Sequence, residues 1–111
     1  MARPKYGNQK VIIDGIVFDS KKEGNRYCEL KLLQRAGSIV GLTLQPEFEL
    51  QPAYTVNGKR VRAITYRADF KYFDTEKNRY VVEDVKGFRT KEYLLKKKMF
   101  AYKFGFEITE V

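Results

Sequence analysis

The chain has 111 residues, a length that fits one compact domain and leaves little room for a second. No run of apolar residues approaches the length of a membrane span, and no apolar stretch follows the N-terminal basic residues as a secretory signal requires. The single cysteine, Cys28, has no second cysteine to pair with. The formal net charge is +8, from 22 basic and 14 acidic residues. We therefore expect a reduced, cytoplasmic protein of one domain, residues 1–111, without a membrane partner and with a surface suited to a polyanion such as nucleic acid.

The N-terminal part combines a basic arm with an expected β-hairpin. Residues 1–10, MARPKYGNQK, contain three basic side chains and no acid: Arg3, Lys5 and Lys10. In the following KVIIDGIVFDS, the pair Asp14-Gly15 separates two apolar runs. This is the strongest short signal for a two-residue hairpin turn, so we expect the fold to open with a small hairpin.

A helix of about four turns is predicted in SKKEGNRYCELKLLQRAG, with Ser20 as its N-cap and Gly37 as its left-handed stop. Residues at helical spacing are expected to face inward: Tyr27, Leu30 and Leu33. Glu23 lies on the same face, but SKKE is also a capping box in which Glu23 would bond back to the backbone of Ser20. Both interpretations of Glu23 stay open. The neighbouring Gly24 costs the helix about 1 kcal/mol relative to alanine, which indicates a close approach by another group.

The pattern from Pro46 to Lys86 is that of strands and predicts three antiparallel strands in a meander. The segments and turns are FELQPAYTV, Asn57-Gly58, RVRAITYRADFKYF, DTEKN and RYVVEDVK. A second helix is predicted in TKEYLLKKKMFAYKFG, with Gly105 at its end, followed by a short strand in FEITEV. One stripe of that helix is expected to hold its apolar residues: Leu95, Met99 and Tyr102.

The order of these elements predicts an α/β fold with a mixed sheet. After the N-terminal hairpin come a helix, three strands, a helix and a strand. Because a strand, a helix and a returning strand form a right-handed crossover, we expect the last strand to run parallel to a strand of the meander.

Positive charge is concentrated in residues 86–103, where seven basic side chains accompany one acid, Glu92. Such a surface suits the phosphates of DNA. The expected DNA contacts combine this segment with the N-terminal arm: Arg3, Lys5, Arg89, Lys91, Lys96, Lys97 and Lys98. The alternative is a solvated lysine-rich helix face that maintains solubility.

Two carboxylates and a lysine are expected to meet near the end of the meander. In VVEDVKG, strand alternation puts Asp84 and Lys86 on one face and Glu83 on the other, whereas Asp69 shares a face with Arg67. By the same alternation Lys71 accompanies Asp69, and the opposite, apolar face holds Ile64, Tyr66, Ala68, Phe70 and Tyr72. Because two nearby carboxylates repel each other, a divalent metal would resolve the conflict. A plain ion pair from either aspartate to Lys86 is the alternative.

These motifs together resemble the PD-(D/E)XK nuclease superfamily, whose core is the restriction-endonuclease-like αβββαβ fold. More narrowly, four segments are similar to a family of small phage-encoded proteins regarded as Holliday junction resolvases: FDSKKEGNRYCELKLL, LQPEFEL, ADFKY and VVEDVKGFRTKEY. The similarity extends over nearly the whole chain. The D…DxK pattern is a weak signal by itself, and the upstream FDSKKE with the matching order of elements makes it fairly specific.

The resemblance implies a role for each acidic position. Asp69 would be the central metal ligand and Asp84 the second carboxylate, with Lys86 as the lysine that positions or activates the attacking water. Glu23 would be the acid on the helix that completes the metal site, and Gln45 would lie near it. This sequence has Ala68 where the motif has proline and Asp84 where many relatives have glutamate, which leaves the number of metal ions open.

The composition limits the cofactor. With no histidine and a single cysteine, a histidine base and a structural zinc cluster are excluded, and an all-oxygen site for Mg²⁺, with Mn²⁺ as a substitute, remains. We therefore expect a Mg²⁺-dependent, structure-specific endodeoxyribonuclease, most simply a phage Holliday junction resolvase acting in DNA recombination. The alternatives are a restriction-like or DNA-end nuclease, and an inactive DNA-binding or packaging accessory.

A resolvase must make two symmetric nicks in branched DNA. A chain of this size with one expected site would obtain the second from a second copy, so we expect a homodimer. The KVIIDGIVF hairpin is the expected part of its interface, because an uncovered hairpin edge favours pairing.

Overall fold

The computed structural model of the protein describes residues 9–85 and 89–111. Arg3, Lys5 and Lys86, three residues with expected roles, lie outside the described ranges. Those ranges contain two helices, α1 (Lys21–Arg35) and α2 (Lys91–Phe104). Ten strands lie in them: β1 (Val11–Ile13), β2 (Ile16–Phe18), β3 (Ile39–Leu44), β4 (Glu47–Gln51), β5 (Tyr54–Val56), β6 (Lys59–Val61), β7 (Ile64–Arg67), β8 (Phe70–Asp74), β9 (Arg79–Asp84) and β10 (Thr109–Glu110).

The N-terminal hairpin is confirmed. Strands β1 and β2 pair antiparallel, with Ile13 opposite Ile16 and Ile12 opposite Val17. The turn between them places Asp14 at φ 53° and Gly15 at φ 76°. Both turn residues are left-handed, as a two-residue turn matched to the strand twist requires.

Helix α1 begins and ends where the sequence predicts. The Ser20 hydroxyl accepts a hydrogen bond from the Glu23 N–H at 3.1 Å, and Gly37 has φ 83°. Tyr27 and Leu30 are buried, but the expected inward position of Leu33 is wrong, because its side chain is 38% exposed. The helix face that contacts other elements is therefore narrower than the spacing of its apolar residues indicates.

Gly24 lies where α1 meets the hairpin. A Cβ atom added there would lie 2.8 Å from Val11 Cγ2 and 2.9 Å from Ile13 Cδ1. The close approach expected from the sequence is therefore present, and the approaching groups are apolar side chains of β1.

The main sheet has the strand order β10-β9-β8-β3, and β10 runs parallel to β9 as predicted. The mixed α/β class is confirmed, and three strands that lie between the two helices in the chain, β3, β8 and β9, belong to this sheet together with β10. The predicted start of the meander is wrong: the sheet strand is Ile39–Leu44, whereas β4 pairs with β7. Gly41, at φ 69° inside β3, interrupts the alternation of apolar and polar residues from which a strand is predicted.

The predicted long strand RVRAITYRADFKYF is divided into β6, β7 and β8. The Asn57-Gly58 turn is confirmed by the antiparallel pairing of β5 with β6. The break between β7 and β8 has a hydrogen-bonding cause. The Ala68 N–H donates to the Pro46 carbonyl at 3.0 Å, whereas the next N–H, of Asp69, donates to Glu83 at 3.0 Å. The chain therefore changes its pairing partner between these two residues.

Helix α2 buries a stripe that differs from the predicted one except at Met99, which is half-buried. Tyr93 and Phe100 are buried, whereas Leu95 is 59% and Tyr102 is 94% exposed. Apolar residues occur on several faces of this helix, so their spacing alone does not select the inward face. The helix ends at Gly105, which is left-handed as expected.

Residue contacts divide the chain into two compact units. The first comprises the chain up to Leu42 together with Tyr72–Tyr80, and the second comprises Thr43–Lys71 and Val81–Val111. The prediction of one domain stays a prediction. The second unit contains a hydrophobic cluster: Leu50, Tyr66, Ala68, Val82, Tyr93, Phe100 and Ile108. Of the helices described, neither is long and apolar enough to cross a membrane.

Candidate functional site

Asp69 is fixed between β7 and β8 by three hydrogen bonds in the second unit. Its N–H donates to the Glu83 carbonyl at 3.0 Å, and its carbonyl accepts from the Gln45 N–H at 2.9 Å. Its carboxylate Oδ2 accepts from the Val85 N–H at 2.6 Å. The side chain therefore continues the hydrogen bonding at the end of β9, beside Asp84.

Asp84 ends β9 in a buried environment, with only 5% of its surface exposed. The Tyr66 hydroxyl donates a hydrogen bond to its Oδ2 atom. A carboxylate at such a position needs partners of this kind, because burial without a hydrogen bond is costly. The adjacent Glu83 is even less exposed, at 1%, so both acids of VVEDVKG are interior residues.

Both aspartates act electrostatically on the Tyr66 hydroxyl. Burial raises the pKa of Tyr66 far above its usual value, and the hydrogen bond to Asp84 and the negative charges of Asp84 and Asp69 raise it further. Tyr66 is therefore a neutral donor at pH 7. The two aspartates lie close together, because the N–H that binds Asp69 Oδ2 belongs to Val85, the residue after Asp84.

A second polar cluster surrounds Glu110, which lies opposite Asp84 in the parallel pairing of β10 with β9. Tyr93 donates to its carboxylate at 2.8 Å and Lys97 at 3.1 Å, and Arg89 forms an ion pair with its other oxygen. Burial by itself would raise the pKa of Glu110, but these hydrogen bonds and the charges of Lys97 and Arg89 outweigh it and hold the pKa below its usual value.

Tyr93 links the two polar clusters. Its ring centroid lies 6.3 Å from that of Tyr66. Burial raises the pKa of Tyr93, as do its hydrogen bond to Glu110 and the charge of Asp84. The sequence did not predict that Tyr66 or Tyr93 belongs to the site. The available signal was that a tyrosine on an otherwise apolar face needs a partner for its hydroxyl.

The structure brings together some of the predicted site residues. Asp69 and Asp84 meet at the end of β9, and the backbone of Gln45 contacts Asp69, although the Gln45 side chain is exposed. The alternation predicted around Asp69 is confirmed by burial, because Tyr66, Ala68, Phe70 and Tyr72 are buried whereas Arg67 is exposed, although residues 68 and 69 lie between β7 and β8 and not within one strand. Glu23 is half-buried on α1 in the first unit, and its role as a ligand stays a prediction. Lys86 lies outside the described residues.

The donor set at the site consists of two carboxylates. Across residues 9–85 and 89–111, no group of three or more acidic or cysteine side chains is placed so that it could hold a metal ion. Mg²⁺ does not require such a group, because one or two carboxylates, water and substrate phosphates commonly complete its octahedral shell. The oxygen atoms of Asp69 and Asp84 therefore fit Mg²⁺ or Mn²⁺ in chemical type.

The expected DNA-contacting residues differ in their surroundings. Lys96 pairs with Glu92 at 3.5 Å, while Lys97 and Arg89 both pair with Glu110. Lys91 and Lys98 are exposed, and neither pairs with an acid in the part of the chain that the structure describes. Of the α2 lysines among the expected DNA contacts, these two are therefore the most available to a polyanion.

Comparison with known proteins identifies a family that matches nearly the whole chain. The family described as "Protein of unknown function (DUF1064)" matches residues 3–109. Neither the curated proteins nor the solved structures yield a match. The match covers nearly the whole chain, including Asp69, Asp84 and both helices, so the chain belongs to the DUF1064 family.

Proposed function

We propose that the protein is a Mg²⁺-dependent, structure-specific endodeoxyribonuclease that cleaves branched DNA in the manner of a Holliday junction resolvase. The main support is the hydrogen bond from the Val85 N–H to Asp69 Oδ2, at 2.6 Å. It holds one carboxylate beside a second, Asp84, at the ends of neighbouring strands. Backbone bonds and strands restrain both groups more firmly than a loop would.

The chemistry needs a positive charge at the scissile phosphate and an activated water molecule, and a bound Mg²⁺ supplies both. Asp69 and Asp84 would hold the ion. Tyr66 orients the carboxylate of Asp84 through its hydrogen bond. Lys86, two residues further along the sequence, would add a fixed cation where negative charge develops.

The surface charge supports DNA as the partner. Lys91 and Lys98 project from α2, and Arg3 and Lys5 add positive charge to the N-terminal arm. Cations of this kind bind phosphates without sequence preference, which suits an enzyme that recognises the shape of its substrate. The proposed place of action is the cytoplasm of a bacterial host cell.

The proposed active form is a homodimer, because resolution of a junction requires two symmetric nicks. The outer face of the hairpin supports this proposal. Ile12 and Val17 lie opposite each other across β1 and β2 and are 71% and 51% exposed. An apolar pair on an outward face is suited to contact the same pair of a second copy.

The test compares a labelled four-way junction with a duplex of matched sequence, each with and without Mg²⁺. We expect paired nicks in opposite strands of the junction, only when Mg²⁺ is present. Equal cleavage of the duplex would reduce the proposal to a general nuclease. Binding without cleavage in both Mg²⁺ and Mn²⁺ would contradict the nuclease proposal and favour an inactive DNA-binding accessory.

A further inference from the structure

A groove of about 470 Å³ lies beside α2 in the second unit. Its volume falls within the range of roughly 300–1,000 Å³ that is typical of ligand pockets. One wall is the end of β4 with the residue after it, and the other is the C-terminal half of α2. The lining residues are Leu50, Gln51, Pro52, Lys98, Met99, Tyr102 and Lys103.

The groove is apolar inside and has an aromatic ring at its rim. Leu50 is buried and Met99 is packed against the hydrophobic cluster. Tyr102 is 94% exposed, whereas Tyr93 and Phe100 of the same helix are buried. One face of the Tyr102 ring is therefore available for a flat ligand.

The groove is also cationic. Lys98 lies one helical turn before Tyr102, which places the two side chains next to each other on the helix surface. Lys98 has no acidic partner among the described residues, and Lys103 donates a hydrogen bond to the carbonyl of Glu49, a neutral acceptor. No acidic side chain lines the groove. Its two positive charges are therefore not compensated locally.

A cationic groove with an exposed aromatic ring matches the chemistry of unpaired nucleotides. Lysines contact the phosphates of a single strand, and an aromatic ring stacks on a base whatever its identity. A paired base in a duplex does not offer its flat face in this way. We propose that this groove binds unpaired nucleotides of a branched or single-stranded nucleic acid, with a base stacked on Tyr102 and a phosphate near Lys98. The inference rests on the proposed action on DNA and names the feature of the substrate that is recognised.

The chain contains no tryptophan, so Tyr102→Trp introduces a single fluorescent reporter into the groove. The variant is titrated with a 20-nucleotide oligo-dT strand, a blunt duplex and poly-glutamate, all without added divalent metal. We expect oligo-dT to quench the Trp emission and the other two to leave it almost unchanged. Equal quenching by poly-glutamate would overturn the proposal. An emission change that depends on protein concentration in the absence of DNA would also overturn it, because such a change indicates that a second copy contacts the groove.

Affinity for fluorescein-labelled oligo-dT, measured by anisotropy, tests the two side chains separately. Because stacking on an aromatic ring contributes about 1–3 kcal/mol per base, Tyr102→Ala should weaken binding by roughly 5-fold to 150-fold, and Tyr102→Phe should restore it. Lys98→Gln should weaken binding and make the dependence of log affinity on log salt shallower by about 0.7. Two variants serve as controls with unchanged affinity: Leu95→Ala for an exposed apolar side chain of α2 and Lys77→Gln for an exposed lysine elsewhere.

Cleavage of the four-way junction is measured in the same variants, so that the two proposals can fail independently. Quenching by oligo-dT in a protein that never cleaves would support the groove and contradict the nuclease. Mg²⁺-dependent cleavage with no quenching, and with unchanged affinity in Tyr102→Ala, would contradict the groove and leave the nuclease proposal intact.

Discussion

The hydroxyl of Tyr66 donates a hydrogen bond to the carboxylate of Asp84, and both side chains are buried in the second unit. Asp84 is one of the two acids proposed to bind metal, so its orientation depends on a residue that lies 18 positions earlier. The hydrophobic cluster that contains Tyr66 therefore also positions the proposed site.

Replacement of Tyr66 by phenylalanine should destabilise the fold and weaken metal binding. The variant leaves a buried carboxylate without one of its donors, which costs about 1–3 kcal/mol in the free energy of unfolding. Urea unfolding measures this loss, and titration with Mn²⁺ measures the affinity of the site. Tyr54→Phe, at a 46% exposed tyrosine, is the control. Equal stability and equal Mn²⁺ affinity in the two variants would contradict a positioning role for Tyr66.

Asp84→Asn should fold normally and bind DNA but lose cleavage. Its amide oxygen still accepts a hydrogen bond from Tyr66, whereas a neutral amide is a poor ligand for a hard cation. We expect the rate of junction cleavage to fall by roughly 100-fold or more, as for the loss of one contact to the transition state. Asp74→Asn, at a turn acid in the first unit, should cleave normally. Wild-type rates in Asp84→Asn would exclude Asp84 as a metal ligand.

The Glu110 cluster should make stability depend on pH in the acid range. The folded-state pKa of Glu110 lies below its ordinary value of 4.5, so its stabilising contribution is fully present above pH 4.5 and is lost as the pH falls through the folded-state pKa. Glu110→Gln should therefore cost about 1–3 kcal/mol at pH 7, and this difference from wild type should shrink below pH 4.5.

The control for that measurement is Glu92→Gln, which removes a 77% exposed acid that forms an ion pair with Lys96 on the surface of α2. It should change stability by less than about 0.5 kcal/mol. A difference between Glu110→Gln and wild type that stays constant from pH 7 to pH 3 would show that the charge of Glu110 is not responsible.

Gly24→Ala should destabilise the first unit even though alanine favours a helix by about 1 kcal/mol. The new methyl group would overlap with Val11 Cγ2 at 2.8 Å and Ile13 Cδ1 at 2.9 Å, so the hairpin must move. We expect a net loss of about 1–3 kcal/mol in urea unfolding. In a Val11→Ala background the same substitution should cost less, because one overlapping atom is gone. An increase in stability on Gly24→Ala would show that the hairpin adapts freely.

The hairpin also gives a test of oligomeric state. Sedimentation at micromolar concentration should give twice the monomer mass of 13.0 kDa for the wild type and the monomer mass for Ile12→Lys, because a charge would be buried in the proposed interface. Val56→Lys, at a 47% exposed position of the β5–β6 hairpin, should remain a dimer. A wild-type monomer would contradict the dimer proposal.

The sequence by itself determined the local features of this protein. The turns at Asp14-Gly15 and Asn57-Gly58, the helix start at Ser20 and the helix end at Gly105 were all predicted correctly. Each depends on backbone conformations and hydrogen bonds within a few residues, which the residue types themselves specify. The composition, with no histidine and one cysteine, likewise limits the proposed site to oxygen ligands.

Only the tertiary structure decided which residues meet. Ile39–Leu44 joins the main sheet in place of β4, and α2 buries Tyr93 and Phe100 in place of Leu95 and Tyr102. Several registers and helix faces would bury similar apolar area, so the choice depends on the packing of the whole core and not on local periodicity. The bond from Tyr66 to Asp84 arises in the same way. A buried tyrosine and a buried acid each need a partner, and only the folded chain determines that they are partners of each other.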